Sequence, residues 1–162
     1  MVKKEQIEAV HFKADNKARI NLHLLGIAFT VFTLIVTLKP ELFRDYVLLG
    51  LQLALSIPLF ITSTLCRTNQ FSIENNKYWN KLAYITFLLA YSMLVNVLGI
   101  FLALFVSLGV SMLFFVVNIL LAVLYSYFGV RYNRAELKSR LYKDISFIVI
   151  LILFGIIPSL NL

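Results

Sequence analysis

The sequence predicts an all-α integral membrane protein, a bundle of about five transmembrane helices with an amphipathic cytoplasmic N-terminal helix. The composition supports this fold class, since 60% of the 162 residues are apolar and only 14% are charged. The charges lie in a few short segments, and the apolar stretches between them are close to or above the roughly 18 to 20 residues that cross about 30 Å of hydrocarbon. A soluble domain of this length does not need so much apolar surface.

Residues 1–19 form the predicted cytoplasmic segment, and residues 20–162 form the predicted transmembrane domain. Apolar residues recur at helical spacing in the first segment, with charged residues between them. They are Ile7, Val10, Ala14 and Ala18. The pattern predicts an amphipathic helix that continues into the first span, and it leaves three roles open: lying on the inner leaflet, pairing with another subunit, or extending into solvent.

Five apolar segments follow in order. The predicted spans are residues 20–38, 46–66, 82–104, 109–129 and 145–160. The uncharged run from Leu82 to Val130 is too long for one helix, and it fits two helices joined by a tight hairpin at residues 105–109. The fifth span is short and Pro158 lies near its end, so a segment that enters the membrane and returns is the alternative there.

The connections between the spans contain two further predicted features. Residues 131–144 carry Leu137 and Leu141 on one helical face, which predicts a short interfacial helix. Trp79 stands beside Tyr78 just before the third span, where amphipathic rings favour the headgroup level. These two rings are interpreted as membrane anchors.

The distribution of Lys and Arg sets the predicted orientation. Thirteen of the 15 basic residues precede the first span, or lie between the second and third or the fourth and fifth spans. By the positive-inside rule, these segments are cytoplasmic, so the N-terminus lies inside and the C-terminus outside. The predicted location is the cytoplasmic (inner) membrane, with the lipid bilayer as partner. Cytoplasmic basic residues beside anionic headgroups account for the net charge of +7, and nucleic-acid binding is not expected.

The predicted spans contain no Asp, Glu, Lys or Arg, which argues against proton-coupled carriers and against intramembrane hydrolases built on acid pairs or zinc. The two histidines and the single cysteine do not form a metal-binding motif. Cys66, at the end of the second span, is interpreted as a small buried residue in preference to a lipidation site. The sequence therefore predicts no catalytic residue, no cofactor and no metal, and the chain is not expected to be an enzyme.

Small, hydroxyl and amide residues recur every three or four positions on the first four spans. The candidate pore-lining or helix-packing residues are His23, Thr30, Thr33, Thr37, Gln52, Ser56, Ser92, Asn96, Ser111 and Asn118. Asn96 and Asn118 are equally distant from the hairpin, so a hydrogen bond between their amides is the favoured prediction. The alternative is that these residues line a narrow uncharged path. Pro58 is the candidate kink of the second span.

One stretch resembles a known family. The segment "VHFKADNKARINLHLLGIAF", residues 10–29, resembles the helix-into-membrane start of the SLATT group of predicted pore-forming effectors. The resemblance implies no role for any individual residue of this chain.

Three functional hypotheses follow. The first is a small protein that self-associates to form an uncharged channel or pore. The second is a non-catalytic membrane scaffold, or a subunit of a larger membrane complex. The third, a passive carrier or lipid-handling enzyme, is weakened by the missing ionisable groups and by an odd number of spans, which does not divide into two repeats. A homo-oligomer or a membrane-complex partner is expected.

Overall fold

The computed structural model describes residues 2–69, 76–132 and 137–162, and every regular element in them is helical. Five of the helices are long and apolar enough to cross a membrane, which confirms the number that the sequence predicts. In chain order, the elements are α1 (Val2–Leu38), α2 (Glu41–Asp45), α3 (Val47–Asn69), α4 (Asn76–Phe105), α5 (Leu108–Tyr132), α6 (Leu137–Leu151), a π-helical turn (Ile152–Ile156) and α7 (Ile157–Leu160).

The N-terminal segment and the first span form one uninterrupted helix, α1. This confirms the prediction that the helix of residues 1–19 continues into the membrane-length segment. The side chains of Ile7, Val10 and Ala14, on which the predicted amphipathic face depends, lie outside the described part of the structure.

The predicted hairpin is also present. Helix α4 ends at Phe105 and α5 begins at Leu108, so only Val106 and Ser107 connect them. The Ser107 hydroxyl accepts a hydrogen bond of 3.2 Å from the backbone N–H of Val110, and so caps the first turn of α5.

A short helix that the sequence analysis did not predict, α2, follows α1. It begins directly after Pro40, whose φ of −61° suits the start of a helix. Phe43 of α2 lies against Phe32, with 5.7 Å between ring centroids, and it covers Gly50, where an added Cβ would stand 2.9 Å from the Phe43 ring. The missing side chain of Gly50 therefore lets α2 fold back onto α3.

The fifth span differs from its predicted bounds. Residues 133–136 lie outside the described residues, and α6 already begins at Leu137. Of the interfacial helix predicted at residues 131–144, residues 131–132 belong to α5 and residues 137–144 belong to the helix of the fifth span. Leu141–Leu160 is helical throughout and long enough to cross a bilayer, although the π-helical turn interrupts its α-helical hydrogen bonding.

The chain forms two compact units, and α4 contributes its first half to one and its second half to the other. Unit one comprises Met1–Tyr91, and unit two comprises Ser92–Leu162. In unit one, α1 packs along α3. Its buried apolar residues include Ala28, Ile35, Leu49, Leu53, Phe60, Cys66, Ala83 and Ala90. The core of unit two includes Leu94, Val97, Ile100, Phe115, Phe147 and Leu151.

Candidate functional site

The threonines of α1 lie on the exposed side of their helix. The predicted stripe of His23, Thr30, Thr33 and Thr37 is exposed, whereas Asn21, Ala28 and Ile35 are buried. At about 100° per residue, these two sets lie on opposite faces of α1. The stripe, which we call the hydroxyl face, borders a groove of about 530 Å³. The lining residues are Phe29, Thr30, Thr33, Leu34, Thr37 and Leu38.

The hydroxyl of Thr30 is hydrogen-bonded within its own helix. Its Oγ1 donates to the backbone carbonyl of Gly26 over 2.9 Å. A hydroxyl in this arrangement keeps acceptor lone pairs for water or for a neighbouring chain, and it adds no charge. The three threonines of the hydroxyl face are therefore polar and uncharged.

A chain of hydrogen bonds joins three helices inside unit one. Asn21 Nδ2 of α1 donates to Ser63 Oγ of α3 over 2.9 Å, and Ser63 Oγ donates to the carbonyl of Ala83 in α4 over 2.7 Å. Asn21 is not among the candidate residues that the sequence predicts. It precedes Ala28 by seven residues and Ile35 by fourteen, and this spacing places all three on the buried face of α1.

The candidate residues of α3 are buried in unit one. Gln52 and Ser56 face its interior, and Ser56 Oγ donates to the carbonyl of Leu53 over 2.8 Å. Pro58 is exposed, and α3 continues through it as a single helix from Val47 to Asn69. The carbonyl of Pro58 accepts a hydrogen bond of 2.8 Å from Thr62 Oγ1. A kink at Pro58 stays a prediction.

Arg67 is a buried cation that the sequence analysis assigned to a connecting loop. Helix α3 extends past it to Asn69, and the residue is only 5% exposed. Its Nη1 donates to Asn80 Oδ1 of α4 over 2.6 Å. The predicted span ends at Cys66, just before this charge, but a helix continues past a charge when the side chain has a hydrogen-bonding partner nearby.

Unit two buries three of its four candidate residues: Ser92, Asn96 and Ser111. Ser111 Oγ donates to the carbonyl of Gly99 over 2.8 Å, which joins α5 to α4. Asn96 Nδ2 contacts the carbonyl of Ile150 in α6 at 3.5 Å, a long hydrogen bond. Asn118 is half-buried.

The predicted hydrogen bond between Asn96 and Asn118 is wrong. Asn118 Nδ2 donates to the carbonyl of Phe114, four residues back in the same helix, over 2.9 Å. Asn96 instead reaches the backbone of α6, where Gly155 leaves room for its carboxamide. Equal distance from a hairpin predicts similar depth, but it does not determine the direction in which each amide turns.

Two glycines pack closely against one aromatic ring in unit two. A Cβ added at Gly99 would overlap the Phe115 ring, and a Cβ added at Gly155 would overlap Asn96 Oδ1 and stand 2.7 Å from Phe115 Cε1. Gly155 belongs to the π-helical turn, and its carbonyl accepts a hydrogen bond of 2.8 Å from Ser159 Oγ. We call Gly99, Phe115 and Gly155 the glycine–phenylalanine cluster.

In the described residues, the polar candidate side chains other than the half-buried Asn118 fall into a buried group and an exposed group. The buried polar groups join neighbouring helices or bond within their own helix, while the hydroxyl face remains exposed. In the parts of the chain that the structure describes, His, Cys, Asp and Glu form no group of three that could hold a metal ion. No protein-family model, no curated protein and no solved structure matches the chain.

Proposed function

We propose that this chain is a multi-pass membrane protein that self-associates to form an uncharged channel or pore, lined by the hydroxyl face of α1. In the proposed topology, the protein lies in the cytoplasmic membrane with its N-terminus inside and its C-terminus outside. The proposal assigns no catalytic residue, metal or cofactor.

The observation that carries this proposal is the position of the hydroxyl face opposite the buried face of α1. Lipid chains offer no hydrogen-bonding partner to a polar stripe, whereas other subunits or water do. A ring of α1 helices with this face inward would surround a path lined mainly by threonine hydroxyls, which does not select strongly for the charge of the permeant.

The buried polar residues support an oligomeric pore over a path through a single unit. Asn21, Ser63 and Ser111 all hydrogen-bond between helices within their units. Such contacts act as helix packing in a membrane, and each is worth about 0.6 to 2 kcal/mol. Of the candidate pore-lining residues that the sequence predicts, the exposed ones lie on α1: His23, Thr30, Thr33 and Thr37.

The first test is the mass of the protein in nanodiscs, measured by native mass spectrometry. A closed homo-oligomer is expected, and a monomer would overturn the axial pore. The second test compares the single-channel conductance of Thr30→Val/Thr33→Val/Thr37→Val with that of the wild-type chain in planar bilayers. Removing three hydroxyls from the pore wall is expected to lower conductance several-fold while the oligomer persists.

Helix α3 offers a matched control. Thr62→Val/Thr64→Val/Thr68→Val removes three hydroxyls that also donate to carbonyls of their own helix. Conductance should stay near the wild-type value in this variant. Equal effects of the two triple variants would contradict a pore lined by α1.

The second candidate function is a non-catalytic membrane scaffold, or a subunit of a larger complex. It is favoured by the use of buried polar residues as helix–helix contacts, since such contacts stabilise a fold without providing a path. A monomeric mass together with an absence of conductance would favour this function over the pore.

A further inference from the structure

A groove of about 380 Å³ lies along the start of α4. Its lining residues are Tyr78, Trp79, Lys81, Leu82 and Ile85. We call it the α4 groove. It lies at the end of a membrane-length helix, since the candidate span of α4 begins at Tyr78.

The chemistry of the groove changes along the helix. Two aromatic rings with polar atoms and one ammonium group come first, and two aliphatic side chains follow one to two turns deeper into the span. Tyr78 is 74% exposed, and Leu82 and Ile85 are each 44% exposed, so the groove is open to a ligand from outside the chain. Buried residues of α4, such as Ala83 and Ala90, lie on a different face of the helix.

We propose that the α4 groove binds an anionic phospholipid. The Lys81 ammonium pairs with the phosphate of the headgroup, and the rings of Tyr78 and Trp79 lie beside the glycerol and ester region, where amphipathic aromatic residues are most stable. Leu82 and Ile85 contact the upper part of an acyl chain. The groove therefore has its polar, aromatic and charged side chains at residues 78–81 and its aliphatic side chains at residues 82 and 85, which matches the polar and apolar ends of a phospholipid.

Charge complementarity selects an anionic lipid over a zwitterionic one. Among the described residues that line the groove, Lys81 is the charged one, and it is positive. A zwitterionic headgroup brings its own cation to the phosphate, whereas a phosphatidylglycerol headgroup leaves the phosphate charge for the protein. A basic residue near a membrane surface favours anionic lipid by about fivefold, the equivalent of roughly 1 kcal/mol.

The fluorescence of Trp79 reports directly on lipid bound in the α4 groove, because Trp79 is the single tryptophan of the chain and it lines the groove. The full-length protein is placed in phosphatidylcholine vesicles that contain a fixed fraction of dibrominated phosphatidylglycerol or dibrominated phosphatidylcholine. Bromine quenches the fluorescence of a neighbouring tryptophan. The quenching of Trp79 is expected to give an apparent affinity for the brominated phosphatidylglycerol that is about five times the affinity for the brominated phosphatidylcholine.

The variant Lys81→Gln should lose this preference, so that the two brominated lipids quench equally. Quenching by brominated phosphatidylcholine should stay unchanged, which shows that the variant is folded with Trp79 still in contact with lipid. Arg44→Gln is the matched control, because Arg44 is an exposed basic residue of unit one that does not line the groove. It should keep the wild-type preference.

Three results would overturn the inference: equal quenching of the wild-type protein by both lipids, a preference that survives Lys81→Gln, or Trp79 fluorescence that neither lipid quenches. The inference requires the chain to lie in a bilayer, but it does not require a pore. A monomer that shows the lipid preference would therefore contradict the proposed pore and support the lipid site.

Discussion

Asn21 Nδ2 donates a hydrogen bond of 2.9 Å to Ser63 Oγ, although the two residues are 42 positions apart in the sequence. Both side chains are buried, and Ser63 Oγ in turn donates a hydrogen bond to the Ala83 carbonyl. The hydroxyl of Ser63 is therefore donor and acceptor at once, and it joins α1, α3 and α4 in unit one.

Replacing Ser63 by alanine should lower the free energy of unfolding by about 1 to 2 kcal/mol, because both the Asn21 amide and the Ala83 carbonyl lose a partner in a buried position. Equilibrium unfolding in mixed micelles measures the change. Thr62→Val is the control, since the Thr62 hydroxyl donates only to its own helix, and it should change the free energy by less than about 0.5 kcal/mol. A loss of equal size in both variants would contradict the three-helix role of Ser63.

Replacing each of the two asparagines, Asn96 and Asn118, by leucine should change the free energy of unfolding by different amounts. Asn96→Leu is expected to lower the free energy of unfolding by about 1 to 3 kcal/mol, because Asn96 is fully buried and leucine removes the amide that reaches the Ile150 carbonyl of α6. Asn118→Leu should cost less than about 0.5 kcal/mol, since its amide bonds only within α5.

The double variant of Asn96 and Asn118 tests whether the amides touch. Residues that share no contact have additive effects to within about 0.5 kcal/mol. The same unfolding measurement on the wild-type chain, the two single variants and the double variant gives the coupling energy. A coupling above about 1 kcal/mol would mean that the amides do bond each other, as the sequence predicts.

The glycine–phenylalanine cluster should not tolerate a methyl group. Gly99→Ala and Gly155→Ala are each expected to destabilise unit two by about 1 to 3 kcal/mol, because the new Cβ overlaps the Phe115 ring or the Asn96 carboxamide. Gly26→Ala is the control, as a Cβ there meets no atom within 4 Å. Thermal unfolding followed by circular dichroism compares the three variants.

A second substitution distinguishes overlap with the ring from a change in helix propensity. Phe115→Leu in the Gly99→Ala background removes ring atoms from the position of the new methyl group. The double variant should recover part of the stability that Gly99→Ala loses. If Phe115→Leu lowers stability equally in both backgrounds, the ring is not the source of the effect.

Two substitutions of Asn80 test how much its contact with Arg67 stabilises the fold. Asn80→Asp places a carboxylate at the position of the amide oxygen and should strengthen the 2.6 Å contact, because a charge-assisted hydrogen bond is stronger than a neutral one. Asn80→Leu removes the acceptor and should weaken the fold by about 1 kcal/mol or more. The free energy of unfolding should be highest with aspartate at position 80, lower with asparagine and lowest with leucine. Equal values for the aspartate and leucine variants would show that this contact does not stabilise unit one.

Hydropathy and spacing were sufficient to predict the five membrane-length helices, because each long apolar run must satisfy its backbone hydrogen bonds internally in a bilayer. The hairpin followed from the length of the uncharged run alone. The ends of helices were less predictable. Helix α3 extends to Asn69 and α6 begins at Leu137, because polar residues continue a helix as readily as they end one when no glycine or proline intervenes.

The partners of polar side chains were not predictable from one sequence. An amide in an apolar run indicates that a partner is needed, but Asn96 meets a backbone carbonyl 54 positions away. The π-helical turn at Ile152–Ile156 has no period that hydropathy can detect, and Pro158 indicated only that hydrogen bonding is disturbed nearby. These features depend on the rotation of one helix against another.

The unbroken course of α1 has a mechanical consequence. A helix of 37 residues is about 55 Å long, whereas the hydrocarbon of a bilayer is about 30 Å thick. If the C-terminal part of α1 spans the bilayer, nearly half of the helix projects beyond it as a stiff arm, with no proline or glycine between Val2 and Ile20 to act as a hinge. A force on the tip of that arm would tilt or rotate the span itself, and with it the threonines on the opposite side of the helix from Ala28 and Ile35.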